Sequence, residues 1–147
     1  MLKITVIAVG KLKERFWRDA CAEYLKRLEG YCKIVVREIP DSNMAQEASL
    51  ITDALPEKAP VIVLDIQGKP TSSEQLATMI ETSTVEGVSH IAFVIGGSDG
   101  IAPEVKARAA KRMSFGPITL PHNLARVVLL EQIYRAFKIM RGEPYHK

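Results

Sequence analysis

Val88-Ser89-His90-Ile91-Ala92-Phe93-Val94-Ile95 rises into an unbroken apolar run and stops at Gly96-Gly97-Ser98-Asp99-Gly100. Side chains alternate between the two sides of a sheet, so a strand apolar at every step has no solvent face. Such a strand belongs to a parallel sheet covered by helices on both sides. Val61-Ile62-Val63-Leu64-Asp65, opened by Pro60, has the same character, and Lys3 to Val9 shows it again before Gly10. Residues 33–39 read as a further strand closed by Pro40.

Helical periods fill the gaps. Trp17, Ala20, Cys21, Tyr24, Leu25 and Leu28 keep i, i+3, i+4 spacing within 14–29. Asp41 or Ser42 can cap a helix over 43–54, and Thr71-Ser72-Ser73-Glu74 reads as a capping box before Leu76, Met79 and Ile80. Pro103 suits the first turn of a helix predicted to reach Arg112. Residues 113–120 then read as a short extended piece broken at Gly116-Pro117, and a last helix runs from Asn123 to Gly142. The alternation predicts one α/β domain over residues 1–147, a mostly parallel sheet flanked by helices.

A 147-residue chain with 47% hydrophobic and 25% charged residues buries an adequate core without staples, which excludes a disordered or fibrous protein. The two cysteines, Cys21 and Cys32, make no disulfide framework and no metal spacing. Lys3 to Val9 is followed by no cleavage site, and no apolar stretch approaches the roughly 20 residues of a membrane span. The expectation is a cytoplasmic protein with neither membrane nor metal as partner.

Net charge is +3, but it is segregated. Residues 1–37 carry nine Lys/Arg against four Asp/Glu, residues 38–105 two against eleven, and residues 106–147 nine against two. Basic ends brought together by folding would suit a polyanion. In the last helix Leu129, Leu130, Ile133, Phe137 and Met140 form one apolar arc, while Leu124, Val128 and Ile139 form another nearly opposite. A helix that only covers a sheet needs one stripe, so the second arc calls for a second partner, such as the same helix of another subunit.

Parallel sheets bind ligands beyond the carboxyl ends of their strands. Those ends are Gly10, Asp65 to Lys69, Gly96 to Gly100 and Leu120 to Asn123. Asp65 suits a catalytic acid, a ribose acceptor or a cap. Gly96-Gly97-Ser98-Asp99-Gly100 matches Gly-x-Ser-x-Gly, the signature of a nucleophile elbow, which keeps a small serine hydrolase as an alternative; a nonenzymatic RNA-binding module is another. Arg126 falls within the buried arc of the last helix, so it must pair with an acid or meet a ligand. Glu131 and Arg135 form an i, i+4 pair. His122 lies beside Pro121, and Tyr145-His146-Lys147 ends the chain with an aromatic, an imidazole and a cation, types that suit a base and its phosphate.

Leu64-Asp65-x-x-Gly68-Lys69, Phe93-Val94-Ile95-Gly96-Gly97-x-x-Gly100, Leu120-Pro121-His122-x-Leu124-x-Arg126-Val127 and Tyr134-Arg135-Ala136 through Pro144-Tyr145-His146-Lys147 together resemble the RlmH-type group of ribosomal RNA methyltransferases, of the SPOUT class. The resemblance spans essentially the whole chain. It implies a C-terminal trefoil knot, a homodimer through the last helix, and S-adenosylmethionine as methyl donor. It implies N3 of a pseudouridine in large-subunit ribosomal RNA as acceptor, on free RNA or the assembled ribosome. Carried over, the donor pocket falls on Leu64, Gly96 and Phe115-Gly116-Pro117-Ile118-Thr119-Leu120. His122, Tyr145 and His146 are candidates for the proton-accepting group, with Arg126, Arg135 and Lys147 as RNA contacts.

Overall fold

The computed structural model describes residues 1–145. Five strands form one parallel sheet: β1 (Lys3–Val9), β2 (Lys33–Ile39), β3 (Val61–Pro70), β4 (His90–Ile95) and β5 (Lys111–Ser114), in the order β2-β1-β4-β3-β5. The helices are α1 (Arg15–Leu28), α2 (Met44–Ala54), α3 (Ser73–Val85), α4 (Pro103–Ala107) and α5 (His122–Met140). The central strands β1 and β4 feed both faces, as their continuous apolar runs require. Ile4, Val6, Ala8, Ile91, Phe93 and Ile95 pack on one side with Leu28, Leu76, Ile80, Leu129, Leu130 and Ile133 from α1, α3 and α5. Ile7, Val9, Ala92 and Val94 pack on the other with Ala48 and Ile51 of α2 and Val105 of α4.

Four local expectations shift, the first being the cap of α2, which is Asn43, its side chain accepting from the Gln46 amide, and not Asp41 or Ser42. The helix begun by Pro103 ends at Ala107 and not at Arg112, because Lys111 to Ser114 pair with β3 as the sheet's edge. Ladder formation with a distant segment overrides the helical preference of the Ala-Lys-Arg sequence there. The capping box is Ser72 with Gln75, one residue beyond the Thr71–Glu74 reading. Strand β3 also runs past Asp65: Leu64 and Lys69 both stand opposite Met113, so Asp65 to Gly68 bulge out between them. A Cβ on Gly68 would lie 2.8 Å from the Arg112 carbonyl, so the bulge needs glycine there.

His90, at the start of β4, stands beside Lys3 of β1, and its Nε2 lies 2.8 Å from the Thr5 hydroxyl. Burial, helped by the Lys3 charge, holds its ring below the ordinary value of 6.5. Protonation is therefore disfavoured in the folded state. The stability this confers is complete above the unfolded value and is lost as pH falls through it towards the lower folded one. His90→Gln should flatten that limb of the stability–pH curve in urea titrations between about pH 7.5 and about pH 5; an unchanged slope would show that His90 does not control it.

Candidate functional site

The carboxyl ends of β3, β4 and β5 meet the segment leading into α5 around a cavity of about 730 Å³. That falls within the roughly 300–1,000 Å³ of small-ligand pockets. Its walls come chiefly from three sources, with Met44 of α2, Pro103 and Lys106 of α4 and Ala125 of α5 completing them. Strand β3 gives Leu64 to Gln67, the turn after β4 gives Ile95 to Ile101, and the β5–α5 connection gives Met113 to Gly116 and Ile118 to His122. Leu64, Ile95, Met113, Phe115 and Leu120 make it apolar. Residues 115–121 belong to neither helix nor strand, so their amides and carbonyls are not taken up by a ladder.

Seven of the eight residues assigned to the donor line this one cavity; Pro117 does not. Gly96 is there for a different reason from the one its position suggests. A Cβ on Gly96 would sit 2.6 Å from the Gly100 oxygen and 2.6 Å from Ile101 Cγ1. Its missing side chain lets the turn fold onto itself, closed by a Gly97–Gly100 bridge, rather than making room for a ligand. Ser98 is exposed in this turn and has an ordinary negative φ; Lys58 is the only non-glycine with positive φ among the described residues. The strained nucleophile of a hydrolase elbow is absent from it.

Asp65 is 7% exposed and lines the cavity. Lys106 Nζ and Arg112 Nη1 each stand 3.3 Å from its Oδ2, and the Gln67 amide donates to Oδ1. Burial alone would push this carboxyl up; the Gln67 amide and the two cations outweigh it and hold it low. Asp65 is thus a fixed anion that braces β3 against α4 and β5, not a proton donor.

His122 reaches the rim from the first position of α5, whose N-cap is Pro121. His122 Nε2 lies 3.6 Å, and Asp41 Oδ2 3.4 Å, from where a Cβ on Gly10 would stand, so β1, the β2–α2 loop and α5 converge there. Arg126, one turn on, is 2% exposed. It donates to Glu38 Oε2 at 2.6 Å and to the Gly10 carbonyl at 2.9 Å. Of its two expected fates, pairing with an acid is the one observed. The expected RNA contact by Arg126 is corrected accordingly: a guanidinium enclosed between two strand ends does not face a phosphate.

Arg135 donates to Glu131 at 2.7 Å, and its guanidinium stands 4.3 Å from the centre of the Tyr145 ring. Tyr145 also meets Tyr134 edge-on at 5.2 Å. Burial, then a hydrogen bond with Glu131, pushes its phenol above the ordinary value. Thirteen residues of helix separate His122 from Arg135, about 20 Å along the axis. Within one protomer, Tyr145 and Arg135 therefore stand away from the cavity that holds His122. His146 and Lys147 lie outside the described residues. Sequence reasoning missed Ile95 and Met113 as wall residues; reading 111–114 as a strand would have pointed to Met113.

Among the described residues there is no group of three or more His, Cys, Asp or Glu placed to hold a metal, and no helix is long and apolar enough to cross a membrane.

Residues 2–146 match a family described as predicted SPOUT methyltransferase. The chain is 47% identical over 159 residues to "Ribosomal RNA large subunit methyltransferase H" of Bacillus cytotoxicus, covering 99% of this chain and 100% of that one. Its fold is similar to the crystal structure of a probable methyltransferase from Bordetella pertussis Tohama I. The TM-score is 0.65 at 12% identity, over 92% of this chain and 95% of the other.

Proposed function

This chain belongs to the SPOUT methyltransferase family, and from that premise we propose that it methylates N3 of a pseudouridine in large-subunit ribosomal RNA, with S-adenosylmethionine as donor. One observation carries the reading. Leu64, Gly96 and all of the 115–120 segment but Pro117, apart in sequence, line a single cavity in a chain 47% identical to a relative with that type of activity in its name.

The cavity's chemistry fits the donor. Leu64, Ile95, Met113, Phe115 and Leu120 offer an apolar slot for a purine, and the backbone of 118–120, outside any helix or strand, can read its edge. When bound, S-adenosylmethionine supplies a methyl group already activated by a positive sulfur. The protein's remaining tasks are to position the acceptor base and to receive the proton from its N3. Of the three candidate proton acceptors, His122 is the one that lines the cavity. Tyr145, with His146 and Lys147, would reach a cavity from the partner subunit of a homodimer paired through α5. The outward arc of α5 supports that pairing: Ile139 is 40% exposed, and Leu124 and Val128 are half-buried. A trefoil knot in the C-terminal part and a cytoplasmic, ribosome-bound place of work complete the reading.

Calorimetry checks the first step. The protein should bind S-adenosylmethionine saturably, one per cavity, and S-adenosylhomocysteine should displace it. Mass spectrometry of ribosomal RNA treated with the enzyme should then show one added methyl on a pseudouridine. No heat of binding would sink the donor assignment, and methyl transfer to another base would sink the acceptor assignment.

A further inference from the structure

Phe16 is 62% exposed in the first turn of α1, and the fold gives no reason for it. The apolar face of α1 runs through Trp17, Cys21, Tyr24, Leu25 and Leu28, which pack on the core. Phe16 points off that face, its ring tilted at 54° to Trp17 with centroids 4.9 Å apart. Trp17 is thus a rigid backing for an aromatic ring whose other side meets solvent.

The surroundings are cationic and held in place. Leu12, 6% exposed, anchors the loop after β1, and Lys11 and Lys13 flank it as exposed residues. Arg18 donates to the Leu12 and Lys13 carbonyls, which ties that loop to α1. Arg15 adds a further charge, 85% exposed beside Asp19. Residues 11–18 hold four cations against the single acid Glu14. The loop springs from Gly10, where His122 closes the cavity rim.

Resting on the RNA-methylating reading, we propose that Phe16, Lys11 and Lys13 form a docking surface for single-stranded RNA beside the cavity, Phe16 stacking on an unpaired base and the lysines meeting phosphates. An apolar protein partner would cover the ring without needing a surplus of cations around it. A polyanion that carries flat π faces answers both features at once.

The test is equilibrium binding to bacterial ribosomes at several salt concentrations, with KM and kcat for methylation alongside. Phe16→Ala should weaken ribosome binding about ten-fold and raise KM by a like factor with kcat nearly unchanged. Phe16→Tyr should retain wild-type affinity, whereas Phe16→Leu, apolar but without a π face, should behave like alanine. Lys11→Gln with Lys13→Gln should lower the slope of log affinity against log salt by about 1.4. Calorimetric affinity for S-adenosylmethionine and the oligomeric state should not change in any variant. Wild-type affinity in Phe16→Leu, or loss of the dimer in Phe16→Ala, would overturn the proposal, as would a wild-type protein that does not bind ribosomes. A wild-type protein that binds ribosomes but not S-adenosylmethionine would overturn the methyltransferase reading and leave the docking surface standing.

Discussion

Glu38→Ala should destabilise the protein by about 3 kcal/mol, more than Arg126→Met, although Arg126 is the buried member of the pair. The asymmetry follows from what each deletion leaves behind. The Arg126 side chain is 3% exposed and that of Glu38 is 40% exposed. Without Glu38, a guanidinium remains enclosed with one carbonyl partner at Gly10, and its Nε already has none. The Leu12 amide also loses an acceptor at 3.3 Å. Without Arg126, by contrast, Glu38 is left at a site that water already reaches, and Met fills most of the vacated space. What remains is the Gly10 carbonyl without its donor, worth about 1 kcal/mol. The figure for Glu38 sits at the low end for a broken buried pair because water reaches half of it. Urea unfolding with an unchanged m-value measures both. A larger loss for Arg126→Met would mean that packing, not the stranded charge, dominates.

The same pair shows what a linear reading captures and where it stops. Arg126 stood out in the sequence because a cation had fallen into an apolar helical arc. Its partner is 88 residues away on β2 and could not be named, since no local pattern links them. The central strands were legible because burial on both faces leaves a continuous apolar signature. Residues 111–114 were not, because their strand state depends on pairing with β3, and the bulge that accommodates them is set by Gly68 against Arg112. The cavity was legible through its strand ends and through the family resemblance, but the reason for Gly96 was not. Glycine after a strand signals a close approach without saying to what, and here the approach is to Gly100 and Ile101. The tail was named from its residue types, and only the structure shows Tyr145 resting on Arg135, well away from His122.

That separation underlies the largest expected effect on activity. Deleting Tyr145 to Lys147 should abolish methylation, with donor affinity and dimer mass almost unchanged. Leu129, Leu130 and Ile133 hold α5 in the core. If α5 pairs with its copy about a two-fold axis, the end of one helix approaches the start of the other, and the tail of each subunit reaches the partner's cavity. The complement needed is a subunit with a blocked cavity and an intact tail. Gly96→Val is unsuitable, because its Cβ would strike its own turn. Leu64→Trp places its bulk in the cavity from β3, and calorimetry should confirm that donor binding is lost. Each variant alone should be inactive. Mixed in equal amounts and allowed to exchange, half of the dimers would combine one open cavity with one intact tail, giving about a quarter of wild-type activity per subunit. Heterodimers that form, as native mass spectrometry would show, yet stay inactive would mean that each subunit completes its own site. Tyr145 would then have to leave Tyr134 and Arg135 and travel along α5 to meet His122.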